Sequence, residues 1–128
     1  MGILNNFKER IKGFSYSKIT KKVAKDYFLK AFFEMKERIL KQEYNKEDIA
    51  LIEYFRNLYI KFRDKDLVKL RNSPIERKEH EEAWSNLIES MNSIMDYWNN
   101  DSELVVEYID YNIKFWEGMV KKYDGKSN

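Results

Sequence analysis

Residues 73–98 read SPIERKEHEEAWSNLIESMNSIMDYW. Ser73 stands where a helix N-cap stands, Pro74 takes the first helical position, where its missing N–H costs nothing, and Glu76 completes a capping box. Trp84, Leu87, Ile88, Met91, Ile94, Met95 and Trp98 then recur at intervals of three to four residues and define one apolar face. A marked start followed by that period predicts a long amphipathic helix.

The pattern continues on both sides. No glycine occurs between Phe14 and Glu117, and Pro74 is the only proline. A segment of that length without these two punctuators, and with apolar residues at helical spacing, is α-helical. Upstream, a helix is expected from about Ser17 to Gln42. Its Lys22, Asp26, Lys30, Glu34 and Arg38 alternate in sign at i,i+4 and form a stripe for water. Val23, Tyr27, Phe28, Leu29, Ala31, Phe32, Phe33 and Met35 leave nearly everything else in its middle apolar. A helix wet along so narrow a line is either central in a bundle or part of an interface.

Asn45 is placed to cap the next helix, with Tyr44 and Ile49 spaced as a hydrophobic staple. Ile52, Phe55, Leu58, Tyr59 and Phe62 carry its stripe until Asp64-Lys65-Asp66 interrupts it. Leu67, Val68 and Leu70 then extend the helix toward Arg71. Downstream of residue 98, Asn99-Asn100-Asp101-Ser102 reads as a turn, with Asn100 and Glu103 spaced as a second capping box. The last helix is expected over Ser102 to Tyr123, with Val105, Tyr108, Ile109, Phe115 or Trp116, and Met119 inward. Lys121, Lys122 and Gly125 suit its C-terminal end.

These elements predict an all-α fold: an antiparallel four-helix bundle over residues 15–124, preceded by a short basic amphipathic helix over residues 1–14. In that short helix Ile3, Leu4, Phe7, Ile11 and Phe14 share a face opposite Lys8, Arg10 and Lys12, and it is expected to dock on the bundle. Residues 125–128 are a frayed tail.

Composition narrows the chemistry. The 128 residues are 43% apolar and 36% charged, with eight Phe, nine Tyr and three Trp, which suits one soluble domain with a core of its own. Absence of cysteine excludes a disulfide scaffold, a thiol nucleophile, an Fe–S cluster and a thiolate zinc site. No apolar run nears the roughly 18 residues that span a bilayer, and no signal-peptide core follows Met1, so the cytoplasm is the expected compartment. Asn6 stands where a Met1-Gly2 myristoylation signal needs Ser or Thr. The frequent Lys, Asn, Ile, Tyr and Phe use AT-rich codons, as in a low-GC microbe or its viruses and plasmids.

Charge is unevenly distributed although it sums to only +2. Residues 1–30 carry eight Lys or Arg against Glu9 and Asp26, giving +6, whereas residues 76–110 carry ten Asp or Glu against Arg77 and Lys78, giving −8. Such segregation either joins two parts of one chain, or two copies, or steers a charged partner.

Candidate chemistry is sparse. His80, the only histidine, continues the apolar stripe of Trp84 toward the helix start and reads as a half-buried structural residue. As a general base it would be oriented by Glu76, one turn away. A metal site of the bundle type would need Glu where Arg77 stands, and a helical ribonuclease would need Arg where Ile75 stands. No Gly-rich phosphate loop exists. No enzyme activity, metal or cofactor is therefore expected.

The basic residues are the better candidates for contact with a partner protein or with phosphates: Lys8, Arg10, Lys12, Lys18, Lys21, Lys22 and Lys25, and the i,i+4 row Lys61, Lys65, Lys69. Tyr16, Tyr27 and Tyr59 lie among them and are placed to stack on bases. Tyr27, Phe28, Phe32 and Phe33 are the candidate interface aromatics. The reading is a small non-enzymatic helical interaction protein, a regulator or inhibitor of viral, plasmid or low-GC microbial type, that docks on a protein partner, a second copy included. The alternative is a nucleic-acid-binding accessory protein, or a small helical subunit of a nucleoprotein complex, using the N-terminal lysines. An anionic membrane surface under residues 1–14 ranks last.

Overall fold

A computed structural model describes residues 21–126, with side chains as far as residue 122. The described residues are all-α, as expected. Helix α1 comprises Lys21–Val23, a π-helical segment Ala24–Leu29 and Lys30–Leu40. Helices α2 (Lys46–Lys69), α3 (Pro74–Asp96) and α4 (Ser102–Lys126) follow after short turns. The expected helix over residues 1–14 lies outside the described residues, as do Tyr16 and residues 17–20 of the next expected helix.

Contacts between the helices set their relative direction. Phe28 and Phe32 of α1 meet Phe55 of α2, and nearer the turn Arg38 pairs with Asp48. Between α2 and α3, Phe62 meets Trp84 and Arg56 donates to Asn92. Trp84 of α3 meets Phe115 of α4, and Ser90 accepts from Asn112. Phe28 stacks on Trp116, while Lys36 pairs with Asp110, which ties α1 to α4. In each pair rising numbers meet falling ones, the sense of antiparallel neighbours. The turns at residues 41–45 and 97–101 thus share one end, where Tyr44 and Trp98 meet edge to face at 5.5 Å. The α2–α3 turn, the beginning of α1 and the end of α4 share the other.

The core is aromatic along its length: Phe28, Phe32, Phe55, Tyr59, Trp84 and Trp116 are buried among Met35, Ile39, Ile52, Leu87, Met91, Ile94 and Ile109. The π segment explains how α1 reaches it. Lys30 donates its N–H to the Lys25 carbonyl, five residues back. In that wider turn residues five apart share a face, so Val23 and Phe28, and Ala24 and Leu29, are all buried before the usual spacing resumes at Phe32, Met35 and Ile39. A plain 3.6 period misses this shift.

Helix ends differ from expectation in detail. Asn45 and Ser73 occupy the N-cap positions without side-chain cap bonds, so the expected Ser73–Glu76 capping box is not made at Ser73. Asp101, not Asn100, caps α4 by accepting from the Leu104 N–H at 3.1 Å. Helix α2 runs unbroken through Asp64-Lys65-Asp66 to Lys69. At the end of α1, Glu43 donates to the Arg38 carbonyl and Gln42 to that of Ile39, a Schellman pair with Gln42 at φ 65°, where glycine is usual.

Candidate functional site

The interior leaves little chemistry unspent. Tyr59 donates its phenol proton to Asn112 Oδ1 at 2.8 Å and accepts from Trp116 Nε1 at 3.0 Å. Asn112 donates to Ser90 Oγ and to the Tyr108 carbonyl, and Ser90 passes its proton to the Leu87 carbonyl at 2.6 Å. The network is closed, and burial holds the Tyr59 phenol far above its ordinary pKa. A closed, buried network positions helices; it offers no group to a substrate.

His80 is oriented from another helix. Its Nδ1 lies 2.7 Å from Asp66 Oδ2, which also accepts from Trp84 Nε1 at 2.9 Å. The expected orienting residue was Glu76; Asp66 takes that place because α2 brings it beside the start of α3. Asp66 and Trp84 are buried while the His80 side chain stays 43% exposed. Asp66→Ala, which removes the carboxylate that accepts from the Trp84 N–H, is expected to cost about 2 kcal/mol in urea unfolding, and His80→Ala less than about 1. A larger loss in His80→Ala would show that the histidine, not the indole, is what Asp66 serves. Among the described residues no cluster of three His, Asp or Glu could hold a metal ion, and no helix is long and apolar enough to cross a membrane.

The sequence-derived surface candidates divide. Lys8, Arg10, Lys12 and Lys18 lie outside the described residues. Lys21, Lys22, Lys25, Lys61, Lys65 and Lys69 are all exposed. Register between α1 and α2, fixed by the Phe28–Phe55 and Arg38–Asp48 contacts, brings Lys25 level with Lys61 and Lys21 level with Lys65. Residues 40 apart in sequence thus share one end of the bundle with Arg71, Arg77, Lys78, Lys121 and Lys122, also exposed. Two aromatic candidates are withdrawn: Phe28 and Phe32 have no exposed surface and belong to the core. Tyr59 is equally buried and cannot stack on a base. Tyr27 is half-buried, and Phe33 alone of the four interface candidates is largely exposed.

Sequence reasoning missed the apolar residues at the bundle's ends. At the cationic end Ile75 is 78% and Val68 60% exposed. Val68 lines an open groove of about 630 Å³ together with Asp64, Leu67, Arg71, Pro74, Arg77, Lys78 and Glu81, and Ile75 follows Pro74 at its side. At the opposite end Leu40 is 63% and Tyr97 43% exposed beside the Tyr44–Trp98 pair. Asp96, Asp101, Glu103 and Glu107 lie on the α3–α4 side of that end, where residues 93–108 contain no Lys or Arg, whereas the α1–α2 side carries exposed Lys41 and Lys46. The mixed acids of the first turns of α3 dilute the cationic end, so its charge rests on α1, α2 and α4. Only contact mapping could reveal either end, since each draws on residues far apart in sequence. Comparison of the chain with family models, curated proteins and solved structures returned no match.

Proposed function

We propose that the protein is a non-enzymatic helical interaction module, a regulator or inhibitor in kind, which docks its cationic end onto an acidic and partly apolar surface of a protein partner. The observation that carries this reading is the α2–α3 corner, where Val68 and Ile75 stand exposed in a charged surround of Arg71, Arg77 and Lys78 with Asp64, Glu76 and Glu81. An apolar centre with a charged rim is how interfaces are built, and large exposed aliphatic side chains are wasted on water. Quantitative affinity capture with wild type and Ile75→Asp as paired baits tests it. A partner enriched by wild type and depleted at least tenfold by the variant supports the reading; identical captured sets defeat it.

A second reading has its own observation. Lys21, Lys22 and Lys25 are exposed at the same end of the bundle as Lys61 and Lys65, a group of cations of the kind that meets phosphates. Fluorescence anisotropy with mixed-sequence RNA and DNA, at about 50 and 200 mM salt, separates the two. Tight binding that weakens steeply with salt favours nucleic acid, and each phosphate-contacting lysine lost should lower the salt slope by about one unit. No binding at either salt removes that reading.

A further inference from the structure

Helix α4 carries more apolar surface than its place in the bundle uses. Val105, Ile109, Asn112 and Trp116 are buried at 4,3,4 spacing. Leu104, Tyr108, Tyr111 and Phe115 repeat that spacing one residue earlier. Leu104, Tyr108 and Phe115 are half-buried and Tyr111 is 42% exposed, so this second stripe is only partly covered. Tyr108 and Tyr111, with Asn86, Glu89, Ser90 and Ser93 of α3, line an open groove of about 430 Å³ on the α3–α4 face. Small polar side chains on one side and aromatic rings on the other make a trough in which a further helix can lay a ridge.

The charge of this face is one-sided. Residues 79–113 contain nine Asp or Glu and no Lys or Arg. Among the described residues only Asp110 of the nine forms an ion pair, with Lys36 on the side turned to α1. Arg56 reaches α3 on the side turned to α2, where it is bound to Asn92. Lys114, one turn beyond Tyr111, and Lys78, about 12 Å before Asn86 along α3, are the first Lys or Arg met in either direction. Between them Glu89 stands exposed in the groove with the two tyrosines and no cation.

We propose that the α3–α4 groove receives an arginine-bearing amphipathic helix of a partner protein. Its apolar edge lies on Leu104, Tyr108, Tyr111 and Phe115, and its arginines meet Glu89 and the tyrosine rings. The stripe from Leu104 to Phe115 rises about 17 Å, which sets the docked helix at about three turns. Lysine supplies charge alone, whereas the planar guanidinium pairs with a carboxylate and also stacks on an aromatic face. The inference goes beyond the reading above, since it uses neither Val68 nor Ile75, and it gives the protein a second docking face. Exposed carboxylates are screened by salt, so charge guides the helix in and the apolar edge fixes its register.

The probe is a labelled helical peptide of Leu and Arg, about 14 residues long with its leucines at 4,3,4 spacing. Fluorescence anisotropy follows its titration with the full chain at about 100 mM salt. A scrambled peptide of the same composition keeps the charge and loses the stripe, and the ordered one should bind at least tenfold more tightly. Glu89→Lys and Tyr111→Ala, both at exposed positions, should each weaken binding at least tenfold. Ile75→Asp and Lys61→Ala, on other faces, should change it less than twofold. No binding, equal binding of the scrambled peptide, or a Glu89→Lys chain that binds as wild type does overturns the proposal. Residues 1–14 of the chain itself, with Lys8 and Lys12, are the rival occupant. If Lys8→Glu combined with Lys12→Glu binds the peptide at least tenfold more tightly than wild type, the groove belongs to that segment and its assignment to a partner is overturned. These failures leave partner capture through Ile75 untouched, and loss of that capture leaves peptide binding at Glu89 untouched.

Discussion

Trp116→Ala should lower the free energy of unfolding by about 4 kcal/mol, the largest loss expected from any single substitution in this chain. Trp116 has no exposed surface. Its ring stacks on Phe28 at 4.1 Å with a 10° tilt and meets Phe115 edge-on at 5.0 Å, so truncation opens a cavity where α1 and α4 join. Loss of its N–H also removes one of the two partners of Tyr59, but Tyr59 still donates to Asn112, so that share is the smaller. Trp116→Phe separates the two effects. It keeps an aromatic ring against Phe28 and deletes the N–H, and should cost only about 1–2 kcal/mol. Urea unfolding followed by circular dichroism measures both. A loss under about 1 kcal/mol in Trp116→Ala would mean that α1 does not depend on this stack. Against the 5–15 kcal/mol typical of a whole domain, a loss of the expected size leaves a marginal protein.

How much of this was legible beforehand depends on the kind of signal. Helical periodicity and the lack of glycine specified four helices and most of the core, because burial of a stripe is written locally. The π segment was invisible, since residues 23–29 hold Lys25 and Asp26 between their apolar members and carry no local mark of the wider turn from which Phe28 stacks on Trp116. Asp66 and Asn112 are a different case. Phe55, Tyr59, Phe62 and Asp66 follow the 4,3,4 spacing of an apolar stripe, as do Val105, Ile109, Asn112 and Trp116. A polar residue in such a slot must find a partner or unfold the helix around it. Each found aromatic polar groups: the Trp84 N–H for Asp66, the Tyr59 hydroxyl for Asn112. Reading Asp66 as an interruption of the stripe, rather than as one of its members, hid this pairing. The ends were illegible for a third reason. Val68 and Ile75, like Leu40 and Tyr97, gain meaning only once the turns are known to gather at opposite ends.

Tyr59→Phe should cost about 2–3 kcal/mol at neutral pH, and that cost should shrink in alkali. The ring itself is kept, so no cavity forms. What is lost is the hydroxyl that gives its proton to Asn112 Oδ1 and takes one from Trp116 Nε1, leaving a buried acceptor and a buried donor without their partner. The pH dependence follows from burial, which raises the Tyr59 pKa above the ordinary phenol value of 10.0. The folded protein therefore holds this proton more tightly than the unfolded chain does. Its contribution to stability is complete below about pH 10 and declines above it, because the unfolded chain releases the proton first. The difference in stability between wild type and Tyr59→Phe should thus be flat from about pH 6 to 9 and fall by up to about 1.4 kcal/mol per pH unit beyond 10. Taking the difference cancels the other tyrosines and the lysines, which titrate in both proteins. Asn112→Leu supplies the remaining control. With the acceptor gone, Tyr59→Phe strands one group fewer, so the double variant should be more stable than the two single losses added together. Additive losses, or a difference that stays constant into alkali, would place the Tyr59 hydroxyl outside the network that joins α2, α3 and α4.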